Sequence, residues 1–101
     1  MWRLVNRNPI SLERALEKAE FLVNRYADNS AYELNNDPVV VRNIIRGIAR
    51  NWVKYGLPYC PCKDISGVRE QDSHLVCPCK DHHDEIATQD SCCCGLYQKV
   101  R

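Results

Sequence analysis

The N-terminal half of the chain carries an apolar pattern with the period of an α-helix. Apolar side chains recur three or four positions apart, at Leu12, Ala15, Leu16, Ala19, Leu22 and Tyr26. Ser11 precedes this pattern and is a suitable N-cap, because its hydroxyl can accept a hydrogen bond from a free backbone N–H of the first turn. The run 28–30, Asp-Asn-Ser, favours a turn. The pattern therefore predicts a first helix that ends near these residues.

A second helix is predicted just before the first cysteine. Asp37 is a good N-cap, and Pro38 takes the first helical position, where its missing N–H costs nothing. Gly56 fits the left-handed residue that commonly ends a helix, and Pro58 prevents continuation. The residues between them form one apolar stripe, made of Val41, Ile44, Ile45, Ile48 and Trp52. This helix would support the first cysteine from a rigid element.

Beyond residue 60 the helical period is lost. Scattered charges, Gly67 and two Cys-Pro-Cys units leave little periodicity, so we predict loops and short helical turns. Residues 62–77 contain too few apolar side chains to form much core, and a metal centre is the obvious candidate for holding them in place. We expect a mainly α, single small domain over residues 1–101. In it, residues 1–59 form a helical support and the loop-rich, cysteine-dense residues 60–97 surround the metal centre.

Length and composition limit the classes of function. A chain of 101 residues can bury about two thirds of its unfolded surface. The net charge of +1 argues against a nucleic-acid-binding protein, which usually has a basic patch. The first residues lack the apolar run of a signal peptide, and nothing approaches the roughly 20 apolar residues of a membrane span. We expect a soluble cytoplasmic protein with no membrane or nucleic-acid partner.

All seven cysteines lie from residue 60 onward, in three clusters: 60–62 (Cys-Pro-Cys), 77–79 (Cys-Pro-Cys) and 92–94 (Cys-Cys-Cys). In a reducing cytosol such density indicates metal ligation or redox chemistry more often than structural disulfides. Neighbouring Cα atoms lie about 3.8 Å apart, whereas an unstrained disulfide needs roughly 4.4–6.8 Å. The three consecutive thiols should therefore point at different partners.

The spacing within the clusters favours iron–sulfur over zinc. Structural zinc sites typically use C-x₂₋₄-C pairs, in which both thiolates reach one ion, and the C-x-C units here are tighter. A cubane cluster offers four separate irons to four cysteines. Four ligands would leave three cysteines, of which a redox disulfide would use two. We expect a [4Fe–4S] cluster, with zinc as the alternative.

The motif resembles that of the catalytic subunit of ferredoxin–thioredoxin reductase. That family has C-P-C, C-P-C and then C-H-C followed by an apolar pair, and this chain has "CPCK", "CPCK" and "CCCGLY". The preceding stretch "AYELNNDPVVVRNIIRGIARNWVKYGLPYCPC" is similar to the family's extended segment, helix and approach to the first cysteine pair. The resemblance extends over roughly residues 12–97.

The resemblance implies roles for six cysteines. The family's redox-active disulfide corresponds to Cys62 and Cys94, of which Cys62 would attack the target disulfide and Cys94 would lie against the cluster. The cluster ligands of the family correspond to Cys60, Cys77, Cys79 and Cys92.

The resemblance also implies a reaction and its partners. The enzyme would take single electrons from ferredoxin or a similar donor and reduce a thioredoxin-like protein. Photosynthetic members pair this subunit with a small variable β-barrel subunit, a partner that this sequence does not itself indicate. Because the chain starts without a transit peptide, we expect a bacterial or archaeal cytoplasmic protein rather than a plastid one.

The chain departs from the family at Cys93, where the family has the histidine thought to help with proton transfer. Cys93 is a tolerated replacement, a functional third thiol or a shifted cluster ligand, since ligation and exchange both need a thiolate. His74, His82 and His83 could also supply the proton relay, and His74, near Cys77, is the better candidate. For His82 and His83 we rather expect an exposed position in a solvated loop.

Lys63 and Lys80 each follow a Cys-Pro-Cys unit. They either lower thiol pKa values and attract an acidic ferredoxin, or are ordinary solvated lysines. Two rival functions remain for the chain as a whole. One is a zinc-binding interaction module without catalysis, and the other is a cluster protein that only transfers electrons.

Overall fold

The computed structural model describes residues 10–100. The prediction that the first residues carry no export signal concerns residues outside this part of the chain. The described part contains four α-helices, a 3₁₀ turn and one pair of short strands. In chain order they are α1 (Leu12–Asp28), β1 (Tyr32–Leu34), α2 (Pro38–Tyr55), α3 (Arg69–Asp72), the turn Ser73–Leu75, α4 (His82–Gln89) and β2 (Tyr97–Lys99). The expected mainly helical architecture with a cysteine-rich C-terminal half is confirmed. No helix of the described part is long and apolar enough to cross a membrane.

Both predicted long helices form, and their predicted caps are confirmed. The Ser11 hydroxyl accepts the N–H of Arg14 at 3.1 Å, and the Asp37 carboxylate accepts the N–H of Val39 at 2.9 Å. Gly56 adopts a left-handed φ of 85° and donates its N–H to a carbonyl of the last turn of α2. These caps pair backbone groups that a helix end would otherwise leave without partners.

The main apolar core lies between α1 and α2. Its fully or nearly fully buried members are Ala15, Ala19 and Val23 from α1, and Ile44, Ile45, Ile48 and Ala49 from α2. Small alanines on α1 face branched side chains on α2, which lets the two helices approach closely. Burying one large aliphatic side chain such as Ile48 stabilises the fold by about 1.5–3 kcal/mol.

Two short strands join the end of the chain to the helical half. β1 and β2 pair antiparallel, with Leu34 opposite Tyr97 and Tyr32 opposite Lys99. The side-chain amide of Gln98 donates to Glu33 at 2.8 Å across the pair. The family resemblance implied an extended segment near β1, whereas no pattern predicted β2. The pairing fixes the segment that follows the last cysteine cluster.

The prediction of a solvated loop around residues 80–85 is wrong. Residues 82–89 form the helix α4, and the side chain of His82 is only 6% exposed. The Nδ1 atom of His82 bonds the carbonyl of Cys79, and its Nε2 atom bonds the hydroxyl of Tyr26. These two contacts turn the start of α4 inward, toward the cysteines.

Candidate functional site

A backbone bridge brings the first two cysteine clusters together. Tyr59 and Val76 form an isolated antiparallel bridge. On either side of it, Cys60 donates its N–H to the carbonyl of Leu75 at 2.8 Å, and Cys77 donates its N–H to the carbonyl of Pro58 at 2.9 Å. The relative position of Cys60 and Cys77 is therefore set by main-chain hydrogen bonds.

A close approach to α2 fixes the first cluster from the other side. Gly47 on α2 lies against the ring of Pro61, so that a methyl group at residue 47 would come within 2.7 Å of the Pro61 Cβ atom. This separation is shorter than real Cβ contacts allow. The glycine is thus required where the first Cys-Pro-Cys unit crosses the helix.

The third cluster sits in a tight turn that separates its thiols. Gly95 has a left-handed φ of 79° and donates its N–H to the carbonyl of Cys92 at 2.8 Å. Asn35 donates its side-chain N–H to the Gly95 carbonyl at 2.8 Å. Cys92 is buried by this turn, Cys93 is exposed and Cys94 is half-buried. The three consecutive thiols thus differ in exposure, although those of Cys93 and Cys94 both lie against Cys62.

Four cysteines are almost completely buried, with exposed fractions of 3–7%: Cys60, Cys77, Cys79 and Cys92. They line one small cavity together with Cys62, Cys93 and Cys94, and with Pro78, His82, Leu96 and Tyr97. All seven thiols are therefore gathered from three clusters around one point. The cavity itself has a volume of about 10 Å³, roughly the space of one water molecule.

Two of the thiols lie in direct contact at the surface of this site. The Sγ atoms of Cys62 and Cys94 are 2.7 Å apart. Cys62 is exposed, whereas Cys94 also contacts the buried thiol of Cys60. The hydrogen bond to Cys60 is the largest cause of a rise in the pKa of Cys94 to about 12, and burial adds to it, while the bond to Cys62 acts the other way. Cys94 therefore links the exposed thiol to the buried set.

Glu85 is a charged residue of the site that the sequence pattern did not reveal. Its carboxylate accepts hydrogen bonds from the ammonium group of Lys63, at 2.9 Å, and from the backbone N–H of Cys93, at 3.0 Å. Burial opposes ionisation of this carboxyl, but these two hydrogen bonds outweigh it and lower the pKa of Glu85. The hydrogen bond to Glu85 likewise raises the pKa of Lys63. Lys63 is therefore held in an ion pair and is not a freely solvated lysine, whereas Lys80 is exposed.

The two candidates for proton transfer lie in different places. The Cys93 Sγ atom is 3.9 Å from the carbonyl oxygen of Cys62, at the rim of the site. His74 is exposed on the 3₁₀ turn, and its carbonyl accepts the N–H of Lys80 at 2.9 Å. His74 is not among the residues that line the cavity, whereas His82 is. His83 is exposed, as expected, and its ring bonds the hydroxyl of Tyr32.

The donor chemistry of the buried residues fits an iron–sulfur cluster. Four buried thiols are the ligand set that a cubane cluster uses. The buried hydroxyl of Tyr97 has no nitrogen or oxygen partner within the described part of the chain, and it contacts the thiol of Cys77. Hydrogen bonds to sulfur are a known feature of cluster sites, so an orphan donor here suits a sulfur-rich group. A cluster can enter the 10 Å³ cavity only if the thiol side chains move apart.

The zinc alternative would need a site for a single ion. In residues 10–100, no group of three or more histidine, cysteine, aspartate or glutamate side chains is arranged to hold one ion. Structural zinc needs four ligands in a tetrahedron around one point. The gathered thiols lie against one another: Cys60 contacts Cys77 and Cys94, and Cys94 also contacts Cys62.

Comparison with known proteins supplies a family. A family model described as ferredoxin thioredoxin reductase catalytic beta chain matches residues 10–100. The matched range contains both long helices and all three cysteine clusters. No match to a curated protein was found. The resemblance seen in the cysteine motif is confirmed by the family match.

Proposed function

Because the chain belongs to the ferredoxin thioredoxin reductase catalytic beta chain family, we propose that it is an iron–sulfur disulfide reductase. It would accept single electrons from ferredoxin or a similar donor and reduce a thioredoxin-like protein. The observation that carries this proposal is the 2.7 Å contact between the Sγ atoms of Cys62 and Cys94, beside four buried thiols. A candidate redox pair and a candidate ligand set thus share one site.

The proposed cluster ligands are Cys60, Cys77, Cys79 and Cys92. Their support is their burial, since cluster ligands lie inside the protein while a thiol that exchanges with a partner must be reached from outside. When bound, a [4Fe–4S] cluster supplies one-electron transfer next to a bond that needs two electrons. The buried thiols and the surrounding Leu96 and Pro78 would shield it from water.

The proposed exchange depends on the different exposure of the Cys62 and Cys94 thiols. Exposed Cys62, as thiolate, attacks the target disulfide, forming a mixed disulfide and releasing one target thiolate. Half-buried Cys94 then attacks the Cys62 sulfur, which releases the second target thiol and regenerates the Cys62–Cys94 disulfide. Two electrons and two protons return this disulfide to the dithiol.

The direction of the reaction follows from typical potentials. Plant-type ferredoxins lie near −400 mV and thioredoxin near −270 mV. The difference of about 130 mV corresponds to ~6 kcal/mol for a two-electron couple. Electron flow toward the target disulfide is therefore strongly favourable.

Proton transfer, localisation and a further subunit complete the proposal. Cys93 is the better placed candidate for moving protons, because its thiol is 3.9 Å from the carbonyl of Cys62. His74 would act from the exposed turn just before the second cluster. We also propose that residues 1–101 act as one domain in a bacterial or archaeal cytoplasm. A small variable subunit is a further partner to look for.

Anaerobic purification followed by iron, sulfide and zinc analysis tests the cofactor. The proposal expects about four irons and four sulfides per chain, whereas stoichiometric zinc without sulfide would support the zinc module. Cys92→Ser should lower the iron and sulfide content, and its neighbour Cys93→Ser is the matched control that should keep both.

Reduction of a thioredoxin-like target tests the reaction. The reconstituted protein, given reduced ferredoxin, should form target dithiol, and an alkylating agent should trap Cys62 after reduction. A protein that binds the cluster but leaves the target oxidised and Cys62 unlabelled would only transfer electrons.

A further inference from the structure

The carboxylate of Glu85 contacts the second and third cysteine clusters and the residue that directly follows the first. At the end of the first cluster it accepts a hydrogen bond from the ammonium group of Lys63, at 2.9 Å. On the third it accepts the N–H of Cys93, at 3.0 Å. The thiol of Cys79, in the second cluster, lies 4.0 Å from the same carboxylate. One side chain on α4 therefore joins segments that are far apart in the sequence.

These contacts fall beside the two thiols of the redox pair. Lys63 directly follows Cys62, and Cys93 directly precedes Cys94. Neither cysteine of the pair lies in a helix or strand, so regular secondary structure does not hold the two segments together at this point. The Lys63 and Glu85 side chains are each only 18% exposed, so water competes weakly for the ion pair.

We propose that Glu85 is a positioning residue that holds Cys62 and Cys94 within bonding reach and thereby sets the reduction potential of their disulfide. The inference rests on the proposed function, because it assumes that these two thiols form the redox pair. It adds a residue outside the cysteine motif to the machinery of exchange.

The sign of the effect follows from the ordering of the dithiol state. Glu85 already holds the two segments together while the thiols are free, so closing the disulfide requires little further ordering. Without Glu85 the dithiol gains freedom that disulfide formation must remove, as for any loop closure. The dithiol is then favoured, and the potential of the disulfide becomes less negative.

The experiment measures that potential in the cluster-loaded protein. Samples are equilibrated anaerobically with defined ratios of oxidised and reduced dithiothreitol, a dithiol that supplies the two electrons and two protons. Alkylation and peptide mass analysis then give the fraction of Cys62–Cys94 disulfide. Glu85→Ala should lower the effective concentration of the pair about tenfold, a rise of about 30 mV.

Four further variants separate positioning from general damage. Glu85→Gln keeps an acceptor for the N–H of Cys93 but loses the ion pair, so it should shift the potential less than Glu85→Ala. Lys63→Gln removes the same ion pair from the other side and should resemble Glu85→Gln. Exchanging the charges, with Lys63→Glu and Glu85→Lys together, restores the ion pair and should bring the potential part of the way back to the wild-type value. The recovery should be incomplete, because lysine cannot accept the N–H of Cys93. Asp84→Asn, on the exposed neighbouring residue, makes the same charge change and should leave the potential unaltered.

The outcomes distinguish the inference from the function beneath it. If Glu85→Ala keeps the wild-type potential while its iron and sulfide content is normal, the positioning role is wrong and the reductase proposal stands. A wild-type protein that forms no Cys62–Cys94 disulfide would overturn both. A purely structural role would also overturn the inference. It would appear as an equal loss of cluster in Glu85→Ala, Glu85→Gln and Lys63→Gln, with no recovery in the double variant that exchanges the two charges.

Discussion

In α1 and α2, the buried residues are alanines and branched aliphatic side chains. From residue 57 to residue 99, thiols, tyrosines and polar groups are buried beside a few aliphatic side chains. Asp72, His82 and Gln98 are all buried in this second region, and each has a hydrogen-bond partner. Apolar packing depends on total volume and pattern, whereas a buried polar group depends on one or two specific partners. The first region should therefore respond to substitution in stability, and the second mainly in chemistry.

The largest effect should come from the redox pair itself. Cys62→Ser or Cys94→Ser should lower the rate of target reduction by about 10³-fold or more, because serine cannot take part in disulfide exchange. Circular dichroism should show the same helix content as the wild type, because α1 and α2 do not depend on these thiols. The neighbouring Cys93→His is the control and should keep most activity. If Cys93→His were inactive while Cys94→Ser turned over, the exchanging pair would be Cys62 and Cys93.

A cavity in the helical region should instead act on stability. Ile48→Ala removes a fully buried side chain and should lower the free energy of unfolding by about 2–5 kcal/mol, measured by denaturant titration. Val53→Ala on the exposed side of α2 should change it by less than about 0.5 kcal/mol. At temperatures where Ile48→Ala stays folded, its iron content should equal that of the wild type, and a proportional loss of iron would break the distinction between the regions.

Gly47 tests a close contact between α2 and the first cysteine cluster. Gly47→Ala favours helix by ~1 kcal/mol, but the added methyl would lie 2.7 Å from the Cβ atom of Pro61. We expect a net loss of about 1–3 kcal/mol from overpacking, together with faster loss of iron on exposure to a chelator. Arg46→Ala on an exposed turn of the same helix should do neither. If Gly47→Ala lost iron no faster than the wild type, the prediction would be wrong, because the first cysteine cluster could then shift without weakening iron binding.

A cap substitution should have a smaller effect, confined to the helices. Asp37→Ala removes the acceptor of the Val39 N–H and should cost about 1 kcal/mol of unfolding free energy. Asp37→Asn, which keeps an oxygen acceptor, is the matched control and should lose much less. The disulfide potential should be the same in all three proteins.

The smallest effect is a pH dependence in the cysteine-rich region. Burial opposes ionisation of Asp72, but the N–H groups of Ser66 and Gly67 and the Ser66 hydroxyl outweigh it and lower the pKa of Asp72. The stabilisation is present above the ordinary carboxyl pKa of about 3.9 and is lost as pH falls through the lower folded value. Asp72→Asn should therefore be less stable than the wild type at neutral pH, and this difference should shrink below about pH 4. Asp64→Asn, at an exposed residue, should show no such change.

The same contrast explains what the sequence could predict. Ser11, Asp37, Pro38 and Gly56 carry local signals, because a cap needs only its own helix. The apolar stripes likewise report the packed faces of α1 and α2, since their period is a property of each helix alone. The cysteine clusters gave the family because their spacing is unusual and specific.

The contacts that build the site had no comparable signal. Lys63 and Glu85 are 22 residues apart, so nothing local pairs them. α4 has only eight residues and few apolar positions, and its inward turn comes from the bonds of His82 to Tyr26 and to the second cluster. The strand β2 exists because it pairs with β1. Each of these features depends on tertiary contacts that a single sequence does not display.

The antiparallel bridge between Tyr59 and Val76 has an engineering consequence. The bridge holds Cys60 and Cys77 together at the base of the segment between them. The distance between these two cysteines therefore does not depend on the length of that segment. Gly67, near its tip, has nothing within 4 Å of an added Cβ atom, but its left-handed φ of 91° favours glycine at that position. A spectroscopic label or a short peptide grafted beside Gly67, and not at it, should report on the approach of a partner protein while the sulfur geometry stays intact.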